Sequence, residues 1–238
     1  MSTWGILGCG TIANEMAERF LNMGGKIYGV SNRTLEKAEK FAEKYQVEHV
    51  YAAYEDMLQD DKIDVIYIAT PHSMHYDNMM KAVAAGKHVL CEKAITVNAG
   101  QLREVMELAR EKGVVVREAM TISHMPLYKA LKEKIAEGAI GKVKMIQVNF
   151  GSNKGYALEA AGGALLDIGV YATSFARTFL SEAPNTVLTT AEYLETGADE
   201  QSGIILKNTK GEMAVMCLTL RAKQPKRGVV TGDKGYIE

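Results

Sequence analysis

The chain has 238 residues, 28 basic against 29 acidic side chains, and 47% hydrophobic residues. That length suits one large domain or two modest ones, each with its own core. The charge balance argues against a nucleic-acid partner, which needs a concentrated basic face. No apolar run reaches the roughly 18 residues of a membrane-spanning helix.

In chain order, the first half alternates strand and helix patterns. Apolar runs at Trp4–Leu7, 26–30, 65–69, His88–Cys91 and 114–116 read as strands. Helical spacing occupies 11–23, Leu35–Tyr45, 75–85 and 97–112. Such alternation implies parallel strands joined by right-handed crossovers, with helices on both faces. Near residue 120 the rhythm changes. A helix over 127–136 ends at Gly138, a strand follows at 143–150, and a second helix covers 164–180. Strand runs at Thr186–Tyr193, 203–206 and 213–220, joined by short turns such as Thr209-Lys-Gly211, suggest a mainly antiparallel sheet. The expected organisation is a Rossmann doubly wound parallel sheet over 1–120 and a second α+β domain over 121–238. The basic stretch 221–227 lacks interleaved aromatics and reads as a solvated loop.

Cys9, Cys91 and Cys217 stand far apart, which fits reduced thiols rather than a disulfide scaffold. Met1-Ser-Thr-Trp4 runs straight into an apolar strand with no secretory leader pattern. A cytoplasmic protein is the expectation.

Gly8-Cys-Gly10-Thr11-Ile12-Ala13 follows the first strand and opens the first helix. Gly8 permits the tight turn, Gly10 lets the backbone approach a pyrophosphate, and small Ala13 allows close helix–strand packing. Thr11 and Ile12 begin the helix, whose free amides and positive dipole end face the phosphates. The second strand ends at Ser31-Asn32-Arg33, where an NAD site usually places an acid. Arg33, with Lys37 one helical turn on, can instead pair with a 2′-phosphate, so NADP is expected, with NAD as the alternative.

Three further segments accompany the fingerprint: Ala69-Thr70-Pro71 running on to His75, Cys91-Glu92-Lys93-Ala94, and Gly162-Gly-Ala-Leu-Leu-Asp167-Ile-Gly-Val-Tyr171. In this order they resemble the Gfo/Idh/MocA oxidoreductase family, within it the dimeric dihydrodiol and xylose dehydrogenase branch. The resemblance implies hydride transfer between a nicotinamide and a sugar-like or dihydrodiol substrate. It makes Lys93 the catalytic lysine, sets Glu92 at the nicotinamide ribose, and adds Asp167 and Tyr171 from one helix face. Ala69, Thr70, Pro71 and His75 then line the cofactor. His72 and His75 share i,i+3 spacing, but nothing completes a metal shell, so no metal is expected.

The chain departs from the family pattern at Ala94, where proline is usual and often cis. Either the bond is trans here, or a rare non-proline cis bond survives. Thr121 and Ser123 stand where close relatives carry Trp and Arg. The chain ends at 235–238 inside a strand pattern, which reads as an incomplete second domain or a naturally short variant. A homo-oligomer through the second sheet is expected if that domain is complete. Two rival functions are a catalytically silent cofactor-binding regulator and an NAD-dependent glycosidase of the same family.

Overall fold

The computed structural model describes residues 2–153 and 162–238. The chain divides into two compact units, one ending at Ala119 and the other beginning at Met120.

The first unit holds β1 (Trp4–Leu7), α1 (Thr11–Asn22), β2 (Ile27–Ser31), α2 (Leu35–Tyr45), β3 (His49–Tyr51), α3 (Tyr54–Leu58), β4 (Val65–Ile68), α4 (His75–Ala84), β5 (His88–Cys91), α5 (Ala99–Lys112) and β6 (Val116–Glu118). All strand pairs are parallel, in the order β3-β2-β1-β4-β5-β6. Strand side chains alternate between two apolar layers. Ile6 and Tyr67 join Ala13, Ala17 and Phe41 of α1 and α2 on one face. Leu7, Ile66 and Ile68 join Met79, Val83 and Val105 of α4 and α5 on the other. Burial on both faces is why these strands read as continuous apolar runs.

The helix ends follow local chemistry. The Asn98 side chain accepts from Gln101 N at 3.0 Å to cap α5, which ends at Gly113 in the left-handed region. Two elements escaped the sequence reading. β3 has three residues, and α3 has five, too few for either period to show.

The second unit contains α6 (Pro126–Ala136), β7 (Val143–Gly151), α7 (Val170–Phe179), β8 (Thr186–Tyr193), β9 (Asp199–Lys207), β10 (Met213–Thr219), β11 (Arg227–Gly232) and β12 (Tyr236–Ile237). Its sheet runs β12-β11-β7-β10-β9-β8 and is antiparallel except between β7 and β10. Ile146, Val148, Met216 and Leu218 pack from the sheet against Ala172, Ala176 and Phe179 of α7.

Two expectations are corrected here. Arg227 is the first residue of β11 rather than loop, because β7 supplies a pairing edge that charge composition does not reveal. The stretch before α7 is a π-helical turn, Leu165–Gly169, not α-helix. A Cβ on Gly169 would lie 2.8 Å from the Leu218 side chain, so the wide turn presses backbone directly onto β10.

Candidate active site

In an open parallel sheet, ligands bind beyond the carboxyl ends of the strands where the strand order reverses. Here that point lies between β1 and β4, and the glycine turn sits on it. Gly8 N donates to Ser31 O at 2.9 Å, and Ala69 N to Leu7 O at 2.8 Å. Gly8 has φ +96°, and a Cβ there would lie 2.6 Å from the Ala69 carbonyl oxygen. Gly10 is different: a Cβ would meet nothing within 4 Å. The space above Gly10 is therefore open to whatever approaches the N-terminus of α1. That helix carries no acidic residue in its first turn, so its positive end stays available to an anion.

A cavity of about 300 Å³ opens at this point. Of the expected residues it brings together Gly8, Gly10, Asn32, Arg33, Ala69, Thr70 and Pro71. Lys37 also lines it, beside Cys9, Thr34, Tyr54 and Met74, whose part sequence reading missed. The Asn32 side chain organises the rim, accepting from Cys9 N at 3.2 Å and donating to Thr34 O at 2.9 Å. Burial pushes the Cys9 thiol up to about 11, against the opposing Lys37 charge, so it stays a neutral thiol.

Other expected residues lie outside the cavity walls. Thr11 and Ile12 are exposed at the helix start, and Ala13 is buried under α1. Ser31 is corrected: it is wholly buried, and its hydroxyl donates to Tyr51 O at 2.9 Å, so its side chain faces β3 rather than a ligand. His75 is likewise fully buried at the start of α4. Its Nδ1 and Nε2 each lie 2.8 Å from a carbonyl oxygen, of Ala94 and Thr70 respectively. It joins the β4 loop to the lysine turn from behind.

That turn follows β5. The Lys93–Ala94 peptide is cis, which decides between the two alternatives at this position. Glu92 N donates to Ile68 O at 2.9 Å, and Ile95 N to Glu118 Oε1 at 3.0 Å. Tyr67 donates its hydroxyl to Glu92 Oε1 at 2.5 Å. Lys93 and Glu92 are both half-buried.

In the second unit, Asp167 lies in the π-turn and Tyr171 in the first turn of α7. Asp199 anchors the turn, accepting from Leu165 N at 2.9 Å and from the Ser202 hydroxyl at 2.6 Å. Gly163, at φ +94°, makes room for it: a Cβ would lie 2.1 Å from Asp199 Oδ1. Tyr171 stands 5.8 Å from the Phe150 ring, and both line a second cavity of about 310 Å³. Tyr128, Phe175, Asn149, Lys226 and Arg227 complete most of its wall, with the Lys226 ammonium 5.2 Å from the Phe150 centroid. The Ser123 hydroxyl donates to Met120 O at 2.7 Å, and Thr121 is exposed.

Residues 2–120 match the oxidoreductase family with an NAD-binding Rossmann fold, Gfo/Idh/MocA, and residues 128–238 match a C-terminal domain of the same family. The chain belongs to the Gfo/Idh/MocA oxidoreductases. Among its relatives are the trans-1,2-dihydrobenzene-1,2-diol dehydrogenases of Xenopus tropicalis and Mus musculus. The first is 33% identical over 99% of this chain and 74% of its own length. The second is 32% identical over 99% and 73%. KijD10, a 3-ketoreductase from Actinomadura kijaniata solved with NADP and TDP-benzene, superposes with a TM-score of 0.90 at 25% identity, covering 98% of this chain and 74% of its own. The Gfo/Idh/MocA family places this chain among the NAD(P)-dependent dehydrogenases and reductases. No helix among the described residues is long and apolar enough to cross a membrane. Nor do the described residues hold a group of three or more His, Cys, Asp or Glu suited to a metal.

Proposed function

We propose that this chain binds NADP(H) beyond the carboxyl ends of β1 and β4 and oxidises or reduces a cyclic diol or sugar at a CH–OH carbon. The observation that carries the reading is the pairing of open space above Gly10 with Arg33 and Lys37 on the wall of the adjoining cavity. The Gly8–Ala13 turn and the start of α1, with Thr11 and Ile12, would hold the pyrophosphate. Arg33 and Lys37 would hold a 2′-phosphate, beside Asn32. Ala69, Thr70 and Pro71 would line the far side, and Glu92 would hold the nicotinamide ribose. KijD10 carries NADP and another structural neighbour, GenD2, carries NAD, so the choice of NADP rests on Arg33 and Lys37.

When bound, the nicotinamide supplies or accepts the hydride. Lys93 would hold the substrate oxygen and stabilise negative charge developing there. In the second unit, Tyr171 would serve as the proton donor or acceptor, with Asp167 orienting it. Dihydrodiols lead the substrate classes, because the relatives carry that name and the cavity beside Tyr171 has aromatic walls suited to an apolar ring. Self-association through the second sheet is supported by Val187, Leu188 and Tyr193, all more than half exposed on β8.

The test is a panel of dihydrodiols, aldoses and inositols followed by NADPH absorbance, with Lys93→Met as control. Turnover that Lys93→Met abolishes while NADPH binding persists is the expected result. NADPH binding with no turnover on any member would favour the regulatory reading. Equal turnover in Lys93→Met would remove the lysine from catalysis.

A further inference from the structure

Tyr67 stands in the middle of β4, flanked by Ile66 and Ile68, and is 1% exposed. Its ring packs in the layer under α1 and α2 that also holds Ala13 and Ala17. Phenylalanine would fill that space equally well. A phenol there brings a hydroxyl that must be hydrogen-bonded, since an unpaired one is costly to bury. Its partner is Glu92, whose Oε1 accepts the hydroxyl proton at 2.5 Å, while Oε2 accepts from Lys93 N at 3.3 Å. A half-buried glutamate at a strand end would otherwise sample several rotamers. Two donors on separate oxygens, one rooted in the core, hold its carboxylate in a single orientation.

We infer that Tyr67 is a positioning residue for cofactor binding, acting through Glu92. It ties the carboxylate beside Lys93 to the packed layer beneath the glycine-turn helix. This inference rests on the reading that Glu92 meets the cofactor. Burial, and then the Glu92 charge, drive the Tyr67 phenol far above its ordinary range, so it remains a neutral donor at any working pH.

Tyr67→Phe deletes the hydroxyl and keeps the ring. In the full chain it should weaken NADPH binding, read by cofactor fluorescence, about ten-fold, the scale of a hydrogen bond to a charged group and a freed rotamer. Glu92→Ala should weaken binding at least as much. The decisive sample is the double variant Tyr67→Phe/Glu92→Ala. With no carboxylate left to orient, the Tyr67 change should there alter affinity less than about two-fold. A merely structural Tyr67 would give losses that multiply, and that result overturns the inference. So does unchanged affinity in Tyr67→Phe alongside a weakened Glu92→Ala, which would leave the assignment of Glu92 standing. Unchanged affinity in Glu92→Ala would overturn both. Binding is compared at a temperature where circular dichroism shows every variant folded, so a lowered melting point does not decide the outcome.

Discussion

Replacing Gly8 or Gly10 with alanine adds the same methyl group two residues apart, yet the structure predicts opposite consequences. At Gly8 the backbone has φ +96°, and the new Cβ would sit 2.6 Å from the Ala69 carbonyl oxygen. The left-handed conformation costs an alanine roughly 1–2 kcal/mol. Relieving a backbone contact that short adds about 1–3 kcal/mol. At roughly 4 °C per kcal/mol for a unit of this size, Gly8→Ala should lower the melting temperature by about 8 °C or more. At Gly10, φ is −72° and ψ is −175°, which alanine adopts freely, and nothing lies within 4 Å of its Cβ. Its stability cost is about 0.5–1 kcal/mol, the difference between glycine and alanine at a helix N-cap. The methyl would instead occupy the space into which we propose the pyrophosphate comes. NADPH affinity should then fall about 10²-fold, equivalent to about 2.8 kcal/mol. Differential scanning fluorimetry and cofactor fluorescence on both variants make the comparison. A Gly10→Ala protein that binds NADPH like the parent, or that melts lower than Gly8→Ala, would refute the reasoning.

Arg33→Ala should weaken NADPH binding by about 1–3 kcal/mol and leave NADH nearly unaffected, because only the former carries a phosphate for the guanidinium to pair with. Equal losses for both cofactors, in parallel titrations, would remove the selectivity role. Tyr171→Phe, assayed on whichever substrate the panel identifies, should cut kcat by about 10²–10⁴-fold. The melting temperature should barely move, since the ring keeps its packing beside Phe150. Normal turnover would move the proton relay elsewhere, with Lys93 next in line.

The first unit was largely legible in the sequence, because a strand buried on both faces must be apolar throughout and a glycine turn needs its glycines in place. Trp4–Leu7, His88–Cys91 and Leu35–Tyr45 were read with the bounds the structure has. Gly8, Gly10 and Arg33 carry their chemistry in residue type and order, so their grouping around one cavity followed from the strand–helix rhythm. Elements of three and five residues hold too few repeats for a period to show, which is why β3 and α3 escaped notice. β11 needed its partner: Arg227-Gly-Val-Val-Thr-Gly232 becomes a strand because β7 offers an unpaired edge.

Side-chain direction was the other matter that order along the chain leaves open. Ser31 looks like a ribose contact by position, but the register of β2 on β3 turns its hydroxyl to Tyr51 O. Asp199 lies 34 residues beyond Leu165, at the start of the π-turn it anchors, and Tyr67 reads as one more apolar residue in a buried strand until β5 sets Glu92 against its hydroxyl. Local sequence determines which residues prefer strand, turn or helix, because those preferences act over a few neighbours. Which acceptor a buried donor finds depends on strands that pair only when the chain has folded, so that part belonged to the tertiary structure alone.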